Sequence, residues 1–180
     1  MKTRTTILPG MHLGAAFSDC ERYRYSLWRS WGAYLGEVQA KPRRYANFLM
    51  LNPSTADEKQ NDPTVERCER RARAMGYDGL FVTNIFALRS TDPNRLYEVE
   101  QSPIGEKNDE AILEVAGNAD IVICGWGAHG KHMRRGMTVL SMLRFNGIVP
   151  HALRITKGGH PGHPLYIGYD VQPKPIRVAA

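Results

Sequence analysis

Asn47-Phe48-Leu49-Met50-Leu51-Asn52-Pro53-Ser54 is a nearly continuous apolar run that stops abruptly at Asn-Pro-Ser. Such a run marks a strand covered on both faces, as in a parallel sheet, and Pro53 ends it by withholding the next ladder donor. Thr55-Ala56-Asp57-Glu58 follows as a polar loop, and Asn61-Asp62-Pro63-Thr64 reads as the start of a helix. A polar loop at the carboxyl end of a first parallel strand is where open α/β sheets bind ligands. Asn52 is therefore the first candidate functional residue.

Upstream, residues 1–20 read as an N-terminal arm or edge element, and 21–180 as a single domain. Arg22-Tyr23-Arg24-Tyr25-Ser26-Leu27-Trp28-Arg29 alternates charged and large apolar residues, which predicts a half-buried strand. Gly32 and Gly36 precede a basic turn, Lys41-Pro42-Arg43-Arg44, that leads into a central strand at 46–51. Downstream, a helix is predicted over 63–75, with Asp62 as N-cap and Pro63 at its first position. Val65, Cys68, Ala72 and Met75 share one face of it, and Arg67, Arg70, Arg71 and Arg73 cover much of the rest as a solvated surface.

Leu80–Phe86 is a second buried strand, leading into the polar loop 89–95. A helix over 105–117 turns Ala111, Ile112 and Val115 inward. A third strand, 120–124, closes into Gly125-Trp126-Gly127-Ala128-His129-Gly130. A basic helix over 131–146 and a fourth strand over 151–156 precede Lys157-Gly158-Gly159-His160-Pro161-Gly162-His163-Pro164-Leu165. Alternating strands and helices predict an α/β fold: three layers, α/β/α, around a short parallel four-stranded sheet with an N-terminal antiparallel extension. Right-handed crossovers gather the polar loops on one rim.

Composition narrows the partners. A chain of 180 residues with 24 basic and 18 acidic side chains has a net charge of +6, which favours a polyanionic partner such as nucleic acid. Cys20, Cys68 and Cys124 are odd in number and far apart, which argues against a disulfide framework or zinc ribbon and fits a reducing cytoplasm. Pro9, Gly10, His12 and Gly14 interrupt the apolar N-terminal stretch, so neither a signal peptide nor a membrane span is expected.

Three motifs carry a resemblance. Leu51-Asn52-Pro53-Ser54 resembles the first motif of the uracil-DNA glycosylase superfamily, closest to the form in the mismatch-specific enzymes. Val82-Thr83-Asn84-Ile85 with Asp92-Pro93-Asn94-Arg95 is similar to the second strand and loop of the iron–sulfur uracil glycosylases. His160-Pro161-Gly162-His163-Pro164-Leu165 resembles the closing motif. Over roughly 25–178 the chain also resembles a bacterial and phage family of unknown function, DUF1643, through its Asn-Pro-Ser…Asp-Pro-Thr and Thr-Asn pattern. Position 52 is Asn where the fastest uracil enzymes have Asp, the closing loop is one residue longer, and the cysteines do not match a cluster arrangement.

The glycosylase resemblance implies a DNA-binding hydrolase that needs no cofactor or metal and cleaves the N-glycosidic bond of a modified or damaged pyrimidine. In that expectation His160 stabilises the anionic leaving base, and Asn84 reads a base edge through an amide that both donates and accepts. The Asn52 carbonyl orients a water, which Asp57 or Asp62 activates, Asp57 being the nearer in sequence. Pro53 and Ser54 border the base. Trp126 either stacks on it or packs in the core. Leu165 either fills the gap left by a flipped nucleotide or opens another strand. Gly125 and Gly127 present backbone amides to phosphate, with Lys157 and Arg89 as cationic contacts. Two alternatives stand beside this: a non-catalytic nucleotide or modified-base binding module on the same fold, and a metal-dependent hydrolase using His129, His132, His160 and His163.

Overall fold

The computed structural model describes residues 1–31, 43–98, 100 and 102–177. Gly32, Gly36, Lys41 and Pro42, the approach to the central strand, lie outside the described residues. Strands β1 (Lys2–Leu8), β2 (Met11–Phe17), β3 (Arg24–Trp31) and β4 (Tyr45–Met50) come first, followed by helix α1 (Pro63–Ala74) and β5 (Gly79–Asn84). Helix α2 (Asn108–Gly117), β6 (Ile121–Cys124), α3 (Arg135–Phe145), β7 (Pro150–Ala152) and β8 (Lys174–Pro175) complete the order.

The described strands form one sheet in the order β1-β2-β3-β5-β4-β6-β7-β8. Its centre is the expected parallel set, β5-β4-β6-β7, and the N-terminal extension is antiparallel. The sheet is nonetheless larger than predicted, reaching eight strands among the described residues. Residues of the N-terminal arm form β1 and β2 of the same sheet, and Ala15 and Phe17 of β2 enter the core. Strand order reverses direction at β4, with β5 on one side and β6 on the other, which is the place where open α/β sheets leave a crevice.

The apolar run at β4 serves both faces through the two-residue period of a strand. Phe48 and Met50 pack with Val65, Cys68 and Ala72 of α1, while Leu49 and Leu51 pack with Ile112 of α2 and Val139 and Leu143 of α3. Burying one such side chain contributes about 1.5–3 kcal/mol. α1 begins as predicted: the Asp62 carboxylate accepts from Thr64 N (2.9 Å) and Val65 N (2.8 Å), with Pro63 in the first turn.

Several boundaries differ, each for a local reason. β3 is an interior strand, and the loop after β4 covers its arginines: Arg24 and Arg29 are buried, not solvated, and donate to the carbonyls of Ala56 and Asp57. Arg71 is buried as well, and its guanidinium donates to the carbonyls of Val171 and Gly168, both at 2.8 Å. Its neighbour Arg67 donates to the carbonyls of Pro164 (3.0 Å) and Ile167 (2.6 Å). This face of α1 is thus a clamp on the C-terminal segment and not a solvated surface. The helix expected from 131 starts at Arg135, since Met133 and Arg134 take left-handed conformations and divide it from a 3-10 turn at Ala128–Arg134. The fourth strand stops at Ala152; beyond it a narrow hairpin pairs Ile155 with Pro161, turning at Gly159. Leu165 sits in a 3-10 turn, Pro164–Tyr166, and not in a strand.

Candidate functional site

The parallel register sets Met50 of β4 opposite Asn84 of β5 and Leu49 opposite Cys124 of β6, so the three strands end level. A cavity of about 550 Å3 opens above these ends. That size is usual for a small-molecule site. Its floor and walls come from the loop after β4 (Asn52, Ser54), the end of β5 (Asn84), the loop after β6 (Trp126 to His129), the start of α1 (Asp62, Thr64) and the segment after β7 (Gly162, His163, Leu165, Tyr166).

Nine of the residues singled out from sequence line it: Asn52, Ser54, Asp62, Asn84, Trp126, Gly127, His129, His163 and Leu165. Asn52 is half-buried and its Nδ2 donates to the carbonyls of Pro53 (3.1 Å) and Ser90 (2.8 Å), while Ser90 N returns a bond to Pro53 O (2.8 Å). Pro53 thus holds the loop from beneath the cavity. Asn84 is buried; its Oδ1 accepts from Arg24 Nη2 at 3.5 Å. Asn108 Nδ2 donates to the backbone carbonyls of Asn84 (2.9 Å) and Ile85 (3.1 Å), securing the strand end from α2.

Trp126 is buried, and its indole lies so close to Gly130 and Gly136 that a Cβ would sit 2.1 Å from Cδ1 at the first and 2.7 Å from Nε1 at the second. The ring is therefore core packing that also borders the cavity. Gly125 and Gly127 do not offer their amides to a phosphate: Gly125 N donates to Leu49 O and Gly127 N to Pro161 O, both at 2.8 Å. Glycine at 125 instead lets the Pro164 ring approach, since a Cβ there would lie 2.7 Å from its Cδ.

Asp57, His160, Lys157 and Arg89 stand apart from the cavity. Asp57 Oδ1 accepts from Lys59 N and Gln60 N, both at 2.8 Å, in a tight local turn. Burial pushes this carboxyl up, but those two bonds and the charges of Arg29 and Arg89 outweigh it and hold the carboxyl below its ordinary value. His160 is drawn into the 155–161 hairpin, where its backbone N–H donates to Thr156 Oγ1 (3.1 Å) and its carbonyl accepts from Thr156 N (2.8 Å). Lys157 is exposed beside the hairpin's turn. Arg89 lines a second cavity of about 340 Å3 with Arg22 and Arg95; Ser90 borders both cavities.

The four histidines do not assemble. Among the described residues no group of three His, Cys, Asp or Glu side chains is arranged to hold a metal ion. His129 and His132 instead flank Tyr97, through a 3.0 Å contact of Nδ1 with the hydroxyl and a ring contact at 4.2 Å.

Three further cavity groups bear on the site: Asp62 and His163, read from sequence as a possible water activator and a possible metal ligand, and Arg24, which sequence did not mark as a site residue. Asp62, already the cap of α1, also faces the cavity. His163 occupies the position expected of His160; its Nδ1 accepts from Leu165 N (3.4 Å), which leaves the proton on Nε2. Burial pushes its pKa down, opposed by the charge of Asp62, so the ring is neutral at pH 7. Arg24, reaching in from β3, is 2 % exposed, with Nη1 donating to Ala56 O at 2.6 Å and Nε left without a protein partner. Burial lowers its pKa to about 10, so it stays charged.

A family model described as a protein of unknown function, DUF1643, matches residues 24–165. The chain belongs to the DUF1643 family. The matched region runs from Arg24 to Leu165, both of which line the cavity. No curated protein and no solved structure matches the chain. The likeness to uracil-DNA glycosylases accordingly rests on its three motifs alone. No helix among the described residues is long and apolar enough to cross a membrane.

Proposed function

We propose that this DUF1643 protein takes a pyrimidine base of DNA into the cavity and hydrolyses its N-glycosidic bond, the base being modified or damaged. The observation that carries the reading is a buried strand-end amide, Asn84, facing a cavity of about 550 Å3 that Trp126 also borders. An amide edge suits the donor and acceptor pattern of a base. The roles expected of His160 and Asp57 pass to His163 and Asp62, which line the cavity. As the C–N bond breaks, its electron pair goes to the base. A hydrogen bond from His163 Nε2 to that developing anion is worth about 2.7–4 kcal/mol in a preorganised site. Asp62 stabilises the cationic sugar and takes a proton from the attacking water. Leu165 and the 76 % exposed Tyr166, both lining the cavity, would fill the gap left by the flipped nucleotide. Lys157 and the Arg89 cavity would meet backbone phosphates.

A second reading, a base-binding module without catalysis, is favoured by Asn52: its Nδ2 is held by two carbonyls and no carboxylate stands in its place. Oligomers carrying uracil, mismatched thymine or hydroxymethylated pyrimidines, incubated with wild type, Asn84→Ala and His163→Gln, separate the two. The enzyme reading expects alkali-labile abasic sites with wild type and their loss in both variants. Binding to an oligomer with no base released from any of them establishes the module instead.

A further inference from the structure

Strand β1 closes one end of the sheet, and among the described residues no strand pairs with its outer edge. Such an edge carries a row of backbone donors and acceptors, which proteins guard with a proline, a bulge, a very short strand or a projecting charge. β1 has seven residues, no proline and an unbroken register with β2. Its two cations are drawn back onto their own chain. The Glu21 carboxylate holds both Lys2 (3.4 Å) and Arg4, and the Arg4 guanidinium lies over the Phe17 ring at 5.2 Å. The guards are thus absent or neutralised from within.

The same strand shows apolar and β-branched side chains to water. Ile7 and Leu8 are 61 % and 46 % exposed. Alternation along a strand puts Thr3, Thr5 and Ile7 on one face, all of them exposed, and Lys2, Arg4, Thr6 and Leu8 on the other.

The order of these residues selects the partner. When two identical strands pair antiparallel about a two-fold axis normal to the sheet, each residue meets the one equally far beyond the axis. Centred on Thr5, all seven residues pair: Thr5 meets its own counterpart, Thr3 meets Ile7, Arg4 meets Thr6 and Lys2 meets Leu8. No like charges oppose each other, and the Thr–Thr and Thr–Ile pairs are of the kind that stabilises sheets. Centring on Arg4 would set two guanidinium groups together, and centring on Thr6 would leave Lys2 and Thr3 unpaired.

We propose that the outer edge of β1 is a self-association surface, through which two copies of this chain join antiparallel, centred on Thr5, into one continuous sheet. The two-fold axis reverses strand direction, so the two cavities open on opposite rims of the joined sheet. The two β4 strands lie nine strand spacings of about 4.8 Å apart, or about 43 Å along the sheet. Each copy therefore keeps its own site, and the proposal is independent of the base reading above.

Sedimentation velocity of the full chain over a concentration series, without nucleic acid, tests this. The mass should rise from monomer toward dimer with concentration, as expected of a small edge-to-edge interface. Thr5→Lys sets like charges together at the axis and should weaken the dimer by roughly fivefold or more. Ser141→Lys adds the same charge on the exposed face of α3 and should leave it unchanged. In a Cys20→Ser background, Thr5→Cys should form an intermolecular disulfide under mild oxidation, since directly opposed strand residues lie within its reach. Leu8→Cys, opposed by Lys2, should not. Circular dichroism reports the fold of each variant, and if Thr5→Lys does not fold the cross-link decides. A chain that stays monomeric up to about 1 mM overturns the inference. So does a dimer that Thr5→Lys leaves intact or that Thr5→Cys fails to lock.

Discussion

Asn52 and Asn84 stand at the carboxyl ends of neighbouring parallel strands, yet the two amides are used in opposite ways. The donor end of Asn52 is taken by two carbonyls, Pro53 O and Ser90 O, which ties the loop after β4 to the loop after β5. The acceptor end of Asn84 is taken by Arg24, which leaves the donor end to the cavity. A strand-end amide becomes scaffold when carbonyls claim its nitrogen, and a reader when a cation claims its oxygen. The local sequences, Leu-Asn-Pro and Thr-Asn-Ile, do not carry this difference; residues 38 and 60 positions away do.

The same substitution at both sites gives the largest contrast. Asn52→Asp removes both donor bonds and faces a carboxylate toward two carbonyl oxygens, so urea unfolding should show a loss of about 2–4 kcal/mol. Asn84→Asp keeps an acceptor for Arg24 and should stay within about 1 kcal/mol of wild type. Equal losses at the two positions would remove the distinction between scaffold and reader. Next in size is Gly125→Ala, whose Cβ would lie 2.7 Å from the Pro164 ring. Overpacking there should cost about 1–3 kcal/mol and push the His163–Tyr166 wall outward, weakening base binding while the Asn84 contacts remain.

Much of the scaffold was legible because its signals are local. The apolar run of β4, the Asp62-Pro63 start of α1 and the Asn that closes β5 each appear within a few residues of chain. What sequence did not yield depends on distant partners. The run holding Arg24 and Arg29 reads as a half-buried strand; in the fold both arginines are buried and reach the carbonyls of Ala56 and Asp57, about 30 residues away. His160 looked like the reactive histidine by motif, but the Ile155–Pro161 bridge closes a hairpin around it and delivers His163 to the cavity. Gly125 and Gly127 read as a phosphate cradle, but their amides are bonded to Leu49 O and Pro161 O.

Smaller effects sharpen the picture of the wall that faces the reader. Arg67→Ala frees the carbonyls of Pro164 and Ile167 and should lower stability by about 1–2 kcal/mol, with base affinity falling as the 164–167 turn loosens. Arg70→Ala, on the exposed side of α1 with Glu66 as its partner among the described residues, is the matched control and should change stability by less than about 0.5 kcal/mol. The least effect is expected from His163. Its folded pKa lies below the ordinary 6.5, so the unfolded chain binds more protons between the two values and stability rises with pH there. That contribution is complete above pH 6.5 and is lost as pH falls through the folded value. Urea midpoints measured across that window should slope upward with pH in wild type and lose that part of the slope in His163→Gln.

The most direct measurement follows the side-chain amide protons themselves. In a 15N-labelled sample, the NH2 resonances of Asn52 and Asn84, assigned through Asn52→Asp and Asn84→Asp, are observed while uridine is added. The account predicts that the Asn84 pair shifts with saturation as its donor finds the ligand oxygen. The Asn52 pair, already bonded to Pro53 O and Ser90 O, should be protected from exchange before any ligand is present and move little. A saturating shift at Asn52 with Asn84 unchanged would contradict the assignment of reader and scaffold.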